Sequence, residues 1–316
     1  MLTRKTLAAG CAAACSLAVA GPAVANHLDP VASLRVEGVN QVLAPGSSYV
    51  AGPERIVTDE DCGGSGRTVS LREPTALGLL EQGTDTNRRL RPLGVSDEFD
   101  FGLLVCRIAD LTGSDTGFWL YKVDHSSPEV GADQREIEDG DEVLWYFSDT
   151  ARGVNTGDEL VIEAPARAEP DEPFEVRVLA YDAAGNRTAA AGAQVHGRTV
   201  VTTGADGRAT IEPEQRGRRR LRAVRGGDIP STPVVVCVGS EGGCAAKTTH
   251  RIVGTNGDDV FRGTSEADRI LARGGDDRID VRGGGRDIVD CGSGDDVVHA
   301  DRDDRVGRSC ERVRRR

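Results

Sequence analysis

Hydrophobic positions return along this chain with three different rhythms, one after another. From residue 34 to residue 147 the rhythm is mostly two. Leu34-Arg35-Val36-Glu37-Gly38 alternates as a half-buried strand, and residues 39–43 answer it as a hairpin partner. Residues 55–58 make another short strand. Residues 74–82 read as a short helix, with Pro74 in its first turn and Gly83 as a stop. Residues 118–123 form a strand with Trp119, Tyr121 and Val123 on one face. Residues 136–141 give a strand end and turn into a strand at 142–147 that carries Val143, Trp145 and Phe147. From 158 to 238 the apolar runs are short and separated by turns such as Asp182-Ala183-Ala184-Gly185-Asn186 and Gly204-Ala205-Asp206-Gly207. Strands are expected at 160–163, 174–181, 199–202, 209–211, 220–224 and 233–238, a spacing that indicates a β-sandwich. The third rhythm is nine. A glycine turn, an aspartate, any residue and one apolar residue recur at Asp259-Val260-Phe261, Asp268-Arg269-Ile270, Asp277-Arg278-Ile279, Asp287-Ile288-Val289 and Asp296-Val297-Val298. A frayed copy follows at Asp304-Arg305-Val306.

A period of nine is too short for a helical repeat and suits half a coil of a parallel β-roll. Six residues turn a corner and three make a strand with one inward side chain: Phe261, Ile270, Ile279, Val289, Val298 and Val306. Corners alternate sides, so each stacks on the corner two repeats away. Carboxylates and turn carbonyls then crowd around a shared gap, and hard oxygen donors at that density suit Ca²⁺. The stretch resembles the haemolysin-type (RTX) calcium-binding repeat, G-G-x-G-x-D-x-U-x, over the last fifth of the chain. Its candidate metal ligands are Asp259, Asp268, Asp277, Asp287 and Asp296, with Asp258, Asp276 and Asp295 beside them. Stacking pairs 259 with 277, 277 with 296, and 268 with 287, which allows up to three sites. Departures from the pattern are Glu266 in a glycine position and Arg286 before Asp287.

The order of elements before residue 150 resembles the transcobalamin-like C-terminal domain family. The residues that carry it are 34–38, the 74–80 helix, Phe118-Trp119-Leu120-Tyr121 and Gly140-Asp141-Glu142-Val143. That likeness implies a small α+β domain and makes Tyr121 and Tyr146 candidates for contact with a cobalamin-like small ligand. The opposing expectation is that Trp119 and Trp145 are simply core. Residues 156–238 resemble bacterial Ig-like or carboxypeptidase-regulatory-like modules, through Phe174-Glu175-Val176-Arg177-Val178 and Asp206-Gly207-Arg208-Ala209-Thr210. The fold expected is therefore mainly β and modular. A signal segment occupies 1–25, a small α+β domain 26–150, an Ig-like β-sandwich 156–238, a linker 239–251 and a parallel β-roll of nonapeptide repeats 252–311.

Composition sharpens this picture in four places. A net charge of −12 argues against nucleic acid as a partner. Arg4 and Lys5, the apolar run 7–20 and Ala23-Val24-Ala25 read as an export signal cleaved after Ala25, giving a secreted, extracellular protein. That run is too short and weak to span a membrane. With Lys5, Lys122 and Lys247 as the sole lysines, the codon usage is that of a GC-rich, actinobacterial-type genome. Cleavage leaves Cys62, Cys106, Cys237, Cys244, Cys291 and Cys310, an even set in an exported chain. Proximity and the domain layout favour disulfides 62–106, 237–244 and 291–310.

No set of catalytic groups can be assembled from the sequence. There is no H-E-x-x-H, G-x-S-x-G, P-loop or dinucleotide fingerprint, and the five histidines are scattered. The chain is thus expected not to be an enzyme. It is expected to be a secreted calcium-binding modular protein with a structural, adhesive or surface-binding role, its partners calcium and a cell-surface polymer. The alternative is an extracellular protein that binds a small molecule through its first domain.

Overall fold

A computed structural model describes residues 30–213, 215–239, 250–264 and 267–316. Strands β1 (Val31–Glu37) and β2 (Val42–Val50) form an antiparallel hairpin, but residues 39–41, expected in its second strand, make the turn instead. It turns where Gly38 N–H donates to Gln41 O at 2.8 Å. Strand β3 (Glu54–Val57) pairs with β4 (Thr68–Leu71). Helix α1 runs Ala76–Thr86, capped by Thr75, whose hydroxyl accepts from Gly78 N–H at 3.1 Å. Gly83 does not stop this helix. It sits inside it, because a Cβ there would lie 2.4 Å from Leu34 Cδ2, so glycine lets α1 press onto β1. Strands β5 (Leu93–Ser96), β6 (Leu104–Ile108) and β7 (Leu111–Thr112) make a small sheet, tied by the Cys62–Cys106 disulfide to the turn after β3. Strand β8 (Gly117–Val123) pairs antiparallel with β9 (Glu142–Asp149), which runs parallel to β1. The strand end expected at 136–141 is reduced to one bridge, Thr75 to Glu136. Trp119, Trp145 and Phe147 pack with Leu34, Val36, Leu77 and Leu80 in one core.

The next segment folds as two facing sheets. One contains β10 (Glu159–Glu163), β12 (Phe174–Tyr181), β13 (Arg187–Ala189) and β16 (Arg208–Ile211). The other contains β11 (Arg167–Ala168), β14 (Gln194–His196), β15 (Val200–Thr202), β17 (Gly217–Val224) and β18 (Val234–Val238). Leu160, Val176 and Val178 from one face meet Val195, Leu221 and Val236 from the other. This pair of sheets leans on the outer face of β1 and β9 through charged groups. Glu37, 1% exposed, takes Arg35 Nε at 3.0 Å and Arg222 Nη2 at 2.9 Å. Glu159 takes Arg35 Nη1 at 3.4 Å and His125 Nδ1 at 3.1 Å. Buried ions of this kind hold only where each charge is answered, as here.

The third segment is a parallel roll built from eight short strands: β19 (His250–Val253), β20 (Val260–Arg262), β21 (Asp268–Leu271), β22 (Arg278–Asp280), β23 (Ile288–Asp290), β24 (Val297–Ala300), β25 (Arg305–Val306) and β26 (Arg312–Arg315). Alternate strands fall in opposite sheets, β19-β21-β23-β25 and β20-β22-β24-β26. Ile270 therefore lies between Ile252 and Val289, and Ile279 between Phe261 and Val298. Those side chains are buried and form the roll's thin core, with Val306 half-buried at its end. The first of these sheets does not stop at the roll. Strand β19 pairs in parallel with β2, Ile252 beside Ser48 and Val253 beside Tyr49, so one sheet of eight strands runs β25-β23-β21-β19-β2-β1-β9-β8. His250 and Arg251, which the sequence assigns to the linker, lie in β19, and residues 312–315, beyond its expected end, lie in β26. Gln82 Nε2 from α1 donates to Val50 O at 2.8 Å and to Gly254 O at 3.1 Å, and Arg273 pairs with Asp85 at 2.7 Å. At the far end Cys291 is bonded to Cys310, their Cα atoms 5.2 Å apart. Cys237 is disulfide-bonded, while the expected partner Cys244 lies outside the described residues, as does Glu266.

Candidate metal centre

The roll corners at 273–276 and 292–295 are made where glycine takes a positive φ and where no Cβ fits. Gly275 (φ +104°) and Gly294 (φ +139°) stack in one column over Gly257, and a Cβ on Gly275 would come within 2.2 Å of Gly257 backbone. That close stacking sets successive corners in register and brings their aspartates together. Asp277 Oδ1 accepts from Asp259 N–H at 2.8 Å, and Asp296 Oδ1 from Asp277 N–H at 2.9 Å. On the opposite side Asp287 Oδ1 accepts from Asp268 N–H at 2.8 Å, and Asp304 Oδ1 from Asp287 N–H at 3.0 Å. A second ladder runs the other way on the exposed rim: Asp258 Oδ1 accepts from Asp276 N–H at 2.7 Å, and Asp276 Oδ1 from Asp295 N–H at 2.9 Å. The gap below corner 254–258 is therefore bordered by Asp258 and Asp277, and the next gap by Asp276 and Asp296.

The five repeat aspartates are all essentially buried, yet their second oxygens differ. Thr255 N–H binds Asp259 Oδ2 at 2.7 Å, and Thr264 N–H binds Asp268 Oδ2 at 2.6 Å. Four residues before Asp277, Asp287 and Asp296 stand Arg273, Gly283 and Gly292, whose N–H groups make no such bond. The Oδ2 atoms of those three aspartates are buried and have no hydrogen-bond partner. Burial pushes the Asp277 carboxyl up to about 7 and Asp287 to about 6, and raises Asp296; the ladder N–H bonds offset part of this, and neighbouring carboxylates add to it. A buried, crowded carboxylate with an unanswered oxygen is what a divalent cation relieves. Among the described residues no three His, Cys, Asp or Glu side chains converge. The donors that fit Ca²⁺ are thus carboxylate pairs completed by corner carbonyls, an all-oxygen set.

Sequence reasoning missed the ends of the ladder. Nine residues before Asp259 stands His250, with Ile252 two places on, a copy of the repeat in which histidine replaces aspartate. Its Nδ1 faces Asp268 Oδ1 at 3.2 Å and its Nε2 faces Ser48 Oγ at 2.8 Å, which ties the first coil to β2. Glu311, followed by Val313, plays the part at the other end, its Oε2 accepting from Asp296 N–H at 3.0 Å. Both copies were visible as the same Asp-x-apolar spacing with another polar residue in first place.

The aromatic pair proposed for a small ligand is not brought together. Tyr121 stacks on Trp145 with ring centres 5.3 Å apart, and its hydroxyl donates to Val130 O at 2.7 Å. Tyr146 is opposite Leu120, on the other face of the sheet, where it packs with Leu144 and Ile229. Period two along β9 separates adjacent residues onto opposite faces. Trp119 and Trp145 are 3% and 2% exposed, and both are core. A groove of about 590 Å³ lies instead where the first segment meets the roll, lined by Ser33, Ser48, Glu142, His250, Val260 and Arg262 among others.

Two stretches of the chain match known families. Residues 253–284 and 283–306 match the RTX calcium-binding nonapeptide repeat. Residues 95–149 match a domain of unknown function, DUF4430. No curated protein matches the chain. The chain is a mainly β, modular protein that carries calcium-binding repeats.

Proposed function

We propose that this is an extracellular protein whose roll is folded and locked by three calcium ions, in a structural or surface-binding role. The first ion is held by Asp258 and Asp277, the second by Asp276 and Asp296, and the third by Asp287 below Asp268, each with corner carbonyls. The observation that carries this reading is the set of three buried, unpartnered Oδ2 atoms on Asp277, Asp287 and Asp296. An exported chain meets calcium at concentrations that fill weak sites, and affinities on the order of 10⁻⁴ to 10⁻³ M suit such modules. Because the roll's core is thin, binding energy becomes folding energy. A hundredfold excess of ion over its dissociation constant contributes roughly 2.7 kcal/mol per site.

The test is native mass spectrometry of the full chain together with thermal unfolding in Ca²⁺, Mg²⁺ and EGTA. Three bound calcium ions are expected, with a rise in Tm that Mg²⁺ does not reproduce. The triple variant D277N/D287N/D296N should lose both. An unchanged Tm in EGTA, or equal stabilisation by Mg²⁺, overturns the proposal. The alternative of a small-molecule protein no longer has Tyr121 and Tyr146 on one face, and is supported by the DUF4430 match at residues 95–149 and by the groove beside His250.

A further inference from the structure

The ladder has more corners than it has unanswered oxygens, and the difference lies at the C-terminal end. On the side of Asp268 and Asp287 the last corner is 301–304. There Asp304 spends both oxygens on the protein: Oδ1 on Asp287 N–H and Oδ2 on Asp301 N–H at 2.7 Å. Two carbonyls of that corner are taken as well. Arg315 Nη1 donates to Asp301 O at 2.8 Å and to Asp304 O at 3.1 Å. On the other side Arg312 Nη2 donates to Asp295 O at 2.8 Å, next to Glu311. Both arginines belong to β26, which stacks on β24 in register, Val313 beside Val298 and Arg315 beside Ala300.

We infer that β26 closes the roll with tethered guanidinium groups that stand where further ions would otherwise be needed, Arg315 over corner 301–304 and Arg312 over corner 292–295. At corner 301–304 the carbonyls of Asp301 and Asp304 converge on one guanidinium nitrogen. Asp287 stacks on Asp268 in the coil before, and residues 305–316 hold no aspartate that stacks on this corner in the same way. A planar guanidinium offers several N–H donors and keeps its charge at any working pH, so it can answer two carbonyls at once. Being covalently attached, it does so at a fixed local concentration and independently of the medium. The last coil is thereby held without calcium, and the ion count stays at three. This rests on the proposed calcium reading for the count alone; the closure by Arg315 stands without it.

Amide hydrogen exchange on the full chain in saturating Ca²⁺, beside the ion count from native mass spectrometry, separates the two. In R315Q, exchange at the amides of Asp287, Asp301 and Arg305 should rise roughly tenfold, from loss of a charge-assisted hydrogen-bond pair. R315K, which keeps a charge but not the fork, should recover part of that protection. The sandwich amides should not change, which reports that the variant is folded. Exchange in R315Q equal to that of the wild type overturns the closure. A fourth calcium ion in the native mass spectrum of the wild type overturns the inferred ion count. Absence of any bound calcium, with the exchange result as expected, removes the calcium reading and leaves the closure standing.

Discussion

His125 sits at φ +67° in the tight turn after β8, its ring 4.2 Å from that of Tyr181 and its Nδ1 on Glu159. The hydrogen bond to Glu159 raises its pKa above the ordinary 6.5; burial opposes this, the charges of Glu159 and Glu142 add to it, and Lys122 subtracts. The folded state thus holds this proton more tightly than the unfolded chain does. The stabilisation is full below the unfolded value of 6.5 and disappears as pH rises through the higher folded value. The contact between the first segment and the two-sheet segment should accordingly weaken as pH rises from 6.5 through that higher folded value. Differential scanning calorimetry of wild type and H125Q across that range checks this. A Tm that falls with pH in the wild type and is flatter in H125Q is the expected result. The same fall in both would mean that another group titrates.

Strand β25 is only two residues long and Val306 is half-buried, so the final coil contributes little apolar burial. The Cys291–Cys310 bond spans 19 residues across that coil. Closing a loop of this size in the unfolded chain is worth about 3 kcal/mol. C291S/C310S should lower the unfolding free energy by that amount, measured by equilibrium urea unfolding in saturating Ca²⁺, and leave the calcium count from native mass spectrometry unchanged. The strands of this roll were legible because one inward residue follows each aspartate by two places, a pattern set by local geometry. The hairpin β1–β2 and the strands β8, β9, β10, β12 and β17 were legible through alternation for the same reason. The small sheet β5–β7 was not, since its strands are short and half-buried, with polar and apolar residues out of step. Gly83 misled because a glycine needed for close approach looks in sequence like one that ends a helix. Tyr121 and Tyr146 looked like one site because sequence shows that both are aromatic and cannot show which sheet face a later segment covers. The pairing of β19 with β2, some 200 residues apart in the chain, leaves no local trace at all.

At the scale of the molecule, the first segment and the roll are joined by that pairing and by Gln82, His250 and Arg273, so the two share one sheet. Loosening the roll must therefore reach β2. In EGTA, exchange at Tyr49 and Val50 should rise along with that of the roll, while β12 and β17 stay protected; protection of β2 unaltered by calcium would show the two to be uncoupled. The attachment also fixes which end of the roll can vary. Its entry is committed to β2, whereas its exit is closed by a short strand and a disulfide that need only the coil beneath them. Each further coil raises the stack by about 4.8 Å, the distance between paired strands. The roll is thus a ruler with its zero mark anchored: repeats gained or lost would set how far the arginine-bearing tip stands from the first segment, and would leave the groove beside His250 and the buried charges around Glu37 where they are.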